Sequence, residues 1–231
     1  MPNHIKKTTR RIMMIAAIAA ALLVVLVPAA IGPSSDSAPP TQYYDPLTGT
    51  MQTVPQTLDD SNLLQKMSSV TNRTFGTAGE ETWFWVGGIN EGYTGNFSGC
   101  KNITIQGDVK ILVRGNQTLG AAAGYEPMFI IPEGSSLTIY TVVAYNPSMS
   151  YWPMSAQGYL DLWGSYIKID GGTFVNATNV RCGVGHTNAS FVFTENGGTL
   201  ENFGVIATNS TANIIGASGP VNIINGGTFV R

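Results

Sequence analysis

Three stretches near the carboxyl end share one alternation of apolar and polar positions. In IKIDGGTF (167–174), FTENGGTL (193–200) and NIINGGTF (222–229), apolar residues lead into an Asx-Gly-Gly corner, after which the alternation resumes. A period of two is the mark of a half-buried strand. The corners Asp170-Gly171-Gly172, Asn196-Gly197-Gly198 and Asn225-Gly226-Gly227 are spaced by 26 and 29 residues. Two weaker echoes, ITIQGDVKILV around Gly107 and IPEGSSLTIY around Gly134, are 27 apart, and the step from Gly134 to Gly171 is 37. Strands broken by glycine corners at such a period predict an all-β parallel β-helix, a solenoid of about five coils over residues 82–231. Asn or Asp followed by Gly accepts the positive φ of a sharp corner at little steric cost. Successive coils lie ~4.8 Å apart, so equivalent residues stack in columns. Asp170, Asn196 and Asn225 are therefore expected in one structural ladder at one corner, with Glu195 out of register where Ile169 and Ile224 stand in their coils.

Upstream the period changes. DDSNLLQKMSSV (59–70) puts Leu63, Leu64, Met67 and Val70 on one helical face, with Asn62 and Gln65 in capping-box spacing. A short helix within a cap at 59–81 would cover the first coil, whose leading strand is TWFWVGG (82–88), and hide its unpaired edge. No comparable cover is evident at the other end, so the last coil is expected to meet further solenoid coils or another chain.

Residues 1–32 read as an address. Lys6, Lys7, Arg10 and Arg11 precede an uncharged apolar run beginning at Ile12, the n- and h-regions of an export signal. The run through Ile31 is also about long enough to remain as a membrane anchor, so membrane contact is expected only through residues 12–31. GPSSDSAPPTQ follows, and 33–58 reads as a tether. All 14 acidic residues but only 8 of the 12 basic ones lie beyond residue 32, leaving about −6 on the exported part. That charge argues against nucleic acid and anionic membrane surfaces as partners.

Candidate chemistry is sparse. Cys100 and Cys182 are the two cysteines, and stacked coils would separate them beyond disulfide reach unless the leading strand folds back. His186 is the one histidine outside the signal; with Cys182 it makes half a metal site at most, and neither a metal nor another cofactor is expected. Sequons occur at Asn72, Asn96, Asn102, Asn116, Asn176, Asn188 and Asn209, readable as glycosylation sites or as turn and ladder composition. The enlarged coil, AYNPSMSYWPMSAQGYLDLWGSY (144–166), gathers Tyr145, Tyr151, Trp152, Tyr159, Trp163 and Tyr166. Such an aromatic loop either stacks on a ligand or folds down over its own coil.

The order of pieces resembles the Gly-rich right-handed β-helix repeats of bacterial and archaeal cell-surface, adhesin-like proteins. The residues that carry the likeness are Trp83–Gly88, NITIQGDVKILVRGNQTL, IIPEGSSLTIYTV, IKIDGGTFVNAT with the GVG element at 183–185, and the later GGT units. The resemblance implies an extracellular solenoid used in attachment or envelope structure, without catalysis, whose partners are cell-surface glycans or proteins of a host or neighbouring cell. Cys182–His186 and the enlarged coil depart from that pattern. The competing reading is a carbohydrate-active β-helix that binds or cleaves a polysaccharide, with Asp170, Glu195, Glu201 and Lys168 as a sparse acidic face.

Overall fold

A computed structural model of the chain describes residues 38–64, 74–87, 102–119, 126–142, 159–162, 165–182, 189–208 and 214–230. Strands β1 (Gln42–Asp45) and β2 (Thr50–Thr53) form an antiparallel hairpin. The winding then begins with β3 (Thr74–Phe75) and β4 (Glu81–Val86). Each later level places one strand on each of three faces. The second level is β5 (Ile103–Ile105), β6 (Asp108–Val113) and β7 (Asn116–Leu119). The third is β8 (Glu126–Pro132), β9 (Ser136–Thr141) and β10 (Tyr159–Leu162). The fourth is β11 (Ser165–Asp170), β12 (Thr173–Ala177) and β13 (Asn179–Cys182). The fifth is β14 (Phe191–Phe193), β15 (Gly198–Asn202) and β16 (Val205–Thr208), and the last is β17 (Ile215–Ala217), β18 (Val221–Asn225) and β19 (Thr228–Val230). The strands of successive levels pair in parallel, giving three stacked sheets and a β-solenoid.

Register fixes what fills the interior. On the second face Val109, Leu137, Phe174 and Leu200 are successive partners and are fully buried, with Ile223 next in the column. On the first face Ile103, Phe129, Ile167 and Phe191 follow one another. Each buried side chain thus packs on its counterpart one level away, and removing one leaves a cavity bounded by two neighbours; such truncations cost about 2–5 kcal/mol.

A neighbouring column on the second face changes chemistry halfway along. Phe84, Ile111 and Ile139 are followed by Asn176, Asn202 and Asn225. Asn176 and Asn202 are fully buried. Asn176 Nδ2 donates to Asn202 Oδ1 at 2.8 Å and to the Val205 carbonyl at 3.2 Å, while Asn202 Nδ2 repeats this with Asn225 Oδ1 at 3.1 Å and the Thr228 carbonyl at 3.2 Å. The ladder thereby satisfies backbone carbonyls at the turn from the second face to the third, and a polar group left unpaired at its buried members Asn176 and Asn202 would cost about 1–3 kcal/mol.

This corrects the single ladder expected at the Asx-Gly-Gly corners. Asp170 and Asn196 do stack, at the corner between first and second faces, and Thr173 pairs with Thr199. Asn225-Gly226-Gly227 belongs to the next corner, because Thr228 pairs with Val205 and opens a third-face strand. The place above Asn196 is taken by Ser218-Gly219-Pro220, where the Gly198 amide donates to the Pro220 carbonyl at 3.0 Å. Glu195 causes no strain: Ile169 pairs with Phe193, so five residues turn this corner where three suffice in the previous level, and Glu195 sits exposed in the longer turn.

The amino-terminal side also differs from expectation. The stretch expected as a tether is packed structure from Gln42 onward, and it forms a second apolar cluster outside the winding. Val54 and Leu58 cover the outward side chains Trp83, Trp85 and Leu112, joined by Tyr43, Leu63, Tyr140 and Val142. The first strand of the second face is met by side chains: Gln56 Oε1 accepts from the Trp83 amide at 3.1 Å, and Asn62 Nδ2 donates to the Trp83 carbonyl at 3.3 Å. In place of the expected helix the described residues there show one 3₁₀ turn, Asp60–Asn62, with its capping box formed by Asp59 and Asn62 rather than Asn62 and Gln65. Leu64 is buried against the interior, and residues 65–73 lie outside those described. No helix among the described residues is long and apolar enough to cross a membrane; residues 1–37, with the expected signal, are outside them.

Asn202→Ala should cost about 2 kcal/mol, since it removes the Oδ1 acceptor of the buried Asn176 amide and the donor to the Thr228 carbonyl together. Asn225→Ala, at the exposed end of the ladder, should cost under about 1 kcal/mol. Urea denaturation of both variants measures the difference.

Candidate functional site

Turns between first and second faces must pass close to the turn below, which leaves no room for side chains at some positions. A Cβ on Gly107 would lie 2.0 Å from the Thr77 carbonyl oxygen, and one on Gly172 would lie 2.5 Å from that of Pro132. At Gly79 and Gly134, by contrast, an added Cβ meets nothing within 4 Å. The stacked corners therefore leave a trough of about 500 Å3 bordered by Gly79, Glu80, Glu81, Gly107, Asp108, Gly134, Ser135, Ser136, Gly171, Gly172 and Thr173.

Strand alternation supplies one wall. Because Val109, Leu137, Phe174 and Leu200 point inward, the residue before each points out. Register lines these up as Glu81, Asp108, Ser136, Thr173, Thr199 and Asn222, an unbroken polar column six levels long. The members at its amino-terminal end are tied down. Glu81 Oε1 accepts from Trp83 Nε1 at 2.7 Å, and Trp83 is held in turn by stacking on Tyr140 and contact with Tyr43. Asp108 Oδ1 accepts from Ser136 Oγ and pairs with Lys110 Nζ at 2.8 Å; that ammonium also donates to Thr138 Oγ1 at 3.2 Å. The aromatic support is itself shielded: burial, then the charge of the neighbouring groups beginning with Tyr43, pushes the Tyr140 phenol well above its ordinary pKa.

Of the acidic face considered from sequence, Asp170 is engaged in the corner. Asp170 Oδ1 accepts from Thr194 Oγ1 at 2.6 Å and Asn196 Nδ2 at 2.7 Å. These bonds, first that of Thr194, hold its carboxyl below the usual carboxylate range, with Lys168 adding to the effect. Asp170 is a ladder member held ionised. Lys168 lies on the same first-face strand as Asp170, Glu195 is in the turn whose Thr194 and Asn196 bond to Asp170, and Glu201 is on the second face.

Of the aromatic loop, Tyr145, Tyr151, Trp152 and Trp163 lie outside the described residues, and Tyr159 opens β10 with its backbone paired to Asn116. Cys100 and His186 are likewise outside, and Cys182 ends β13. No group of three or more metal-ligating side chains occurs among the described residues. Among the sequons, Asn176 is buried in its ladder, where a glycan has no room, so that expectation is corrected. Asn102 is described, at φ +58°, with Nδ2 3.5 Å from Glu126 Oε2, and Asn116 lies in β7; Asn72, Asn96, Asn188 and Asn209 are outside the described residues.

Sequence reasoning missed the trough. Its signal is present, since a polar residue follows the glycine corner in level after level: Glu80-Glu81, Asp108, Ser135-Ser136, Thr173 and Thr199. Comparison with protein-family models, with curated proteins and with solved structures finds no match to this chain.

A depressed folded-state pKa stabilises above the unfolded value and the gain disappears as pH falls through the folded value. The stability advantage of the native chain over Asp170→Asn should thus be full near neutrality and vanish as pH drops from ~5 to ~2. Thermal melts of both proteins across that range check it.

Proposed function

We propose that the chain is an exported, surface-displayed solenoid of the adhesin-like kind, serving attachment through its corner trough and not catalysis. The observation that carries this reading is the six-level polar column beside a glycine-bordered trough. A rigid row of hydroxyl, carboxylate and amide groups at one spacing suits a long, polar, repetitive ligand, which is what a cell-surface glycan is. The basic, then apolar, amino terminus supports export or anchoring, and the resemblance of the GGT units to Gly-rich surface repeats supports display outside the cell. The winding is read as right-handed, the hand taken by nearly all parallel crossover connections.

One observation favours a second reading, a carbohydrate-active enzyme. Glu81 and Asp108 are register partners on adjacent strands in the trough, and paired carboxylates cleave glycosidic bonds. Against it, Asp108 is occupied by Lys110 and Ser136.

Screening the full chain on a polysaccharide array, with chromatography of the mixtures, separates the two. Attachment predicts retention of at least one polysaccharide with no shortened product. Gly134→Asn, which adds bulk at an open position while keeping a residue that accepts positive φ, should weaken retention about tenfold, a difference of about 1.4 kcal/mol. Shortened chains that disappear in Glu81→Gln would establish the enzyme instead.

A further inference from the structure

The trough is not uniform along its length. Its amino-terminal end is bordered by Glu80, Glu81 and Asp108, whereas its other end offers Ser135, Ser136 and Thr173. Lys110 offsets Asp108 by pairing with it, so the negative charge of this end comes from Glu80 and Glu81. Such a channel repels uronate- or sulfate-bearing polymers and concentrates cations.

Two further features define the ligand's shape. The column repeats once per level, at ~4.8 Å, close to the length of one hexose residue in an extended chain, so successive sugars can lie one beside each level. The backbone groups of the inner strands β6, β9 and β12 are used in level-to-level pairing on both sides, so along these strands the trough offers no free edge for an extended peptide. We infer that the trough takes an extended, amine-bearing glycan, with protonated amino groups beside Glu80 and Glu81 and neutral hydroxyls along Ser135, Ser136 and Thr173. This rests on the attachment reading above and names its ligand class.

The test is calorimetric titration of the full chain with four hexasaccharides or oligomers of equal length: β-linked glucosamine, its N-acetylated form, galacturonate and lysine. Glucosamine should bind about tenfold more tightly than the N-acetylated oligomer, the order expected of a few partly screened charge pairs, and galacturonate should not bind. The preference should shrink as salt rises, and as pH rises past the amine's pKa. Glu80→Gln with Glu81→Gln should abolish the preference by lowering glucosamine affinity to that of the N-acetylated oligomer, and an unchanged circular dichroism spectrum and melting temperature show the fold intact. Equal affinity for both glucosamine forms overturns the charge inference and leaves the attachment reading standing. Oligolysine binding as tightly as glucosamine overturns the glycan assignment. Binding of any oligomer that Gly134→Asn does not weaken, or no binding at all, overturns the trough as a site and the attachment reading with it.

Discussion

Level-on-level parallel pairing is the constraint from which the rest of this molecule follows. A strand here gains backbone partners only by lying in register on the previous level, and register then dictates which side chains share a column. The interior consequence is like upon like: aliphatic and aromatic residues form continuous stacks, and where the chain must turn sharply between faces an amide ladder takes over. A one-residue slip in one strand would send its apolar set outward. The buried columns and the hydrogen-bonded corner thus enforce the same alignment by different means.

The outer surface inherits that alignment without having to fold for it. Positions that face out carry no packing requirement, yet they fall into columns because their inward neighbours do. The polar row from Glu81 to Asn222 is such a by-product, and the close approach of successive turns, tolerated at Gly107 and Gly172 because they lack a Cβ, opens the trough beside it. The lateral strap adds a second use of the same face. Tyr43, Val54 and Leu58 cover the outward tryptophans, and this buried aromatic group holds the Glu81 carboxylate in place through Trp83. Core register, strap and trough are therefore mechanically joined.

Much of this was legible in the residues. Alternation and glycine corners gave the solenoid, and the Asp170–Asn196 stack follows from their shared motif. The third GGT misled because Asx-Gly-Gly is a solution to any tight corner, and a three-cornered coil has several; spacing alone does not say which. The ladder Asn176–Asn202–Asn225 was written in the sequence at comparable spacing, but isolated asparagines without glycines are a weaker signal than repeated Asx-Gly-Gly. The strap was hidden for a different reason. Residues 42–58 scatter their apolar groups, Tyr43, Tyr44, Leu47, Met51, Val54 and Leu58, among turn formers without a sustained period, so their order comes from the tryptophans that they cover and not from their own periodicity. The trough was missed because polar residues after a glycine read as turn chemistry until a register places them in one row.

Register is the claim on which everything else stands, and cross-linking reads it directly. Adjacent parallel strands bring aligned Cα atoms within disulfide range. In a chain with Cys100 and Cys182 replaced by serine, Thr199→Cys combined with Asn222→Cys should form a disulfide on mild oxidation, and Thr199→Cys with Thr228→Cys should not, because Thr199 is aligned with Asn222 and Thr228 with Val205. Oxidation of the Thr199/Thr228 pair in preference to the Thr199/Asn222 pair would contradict the account.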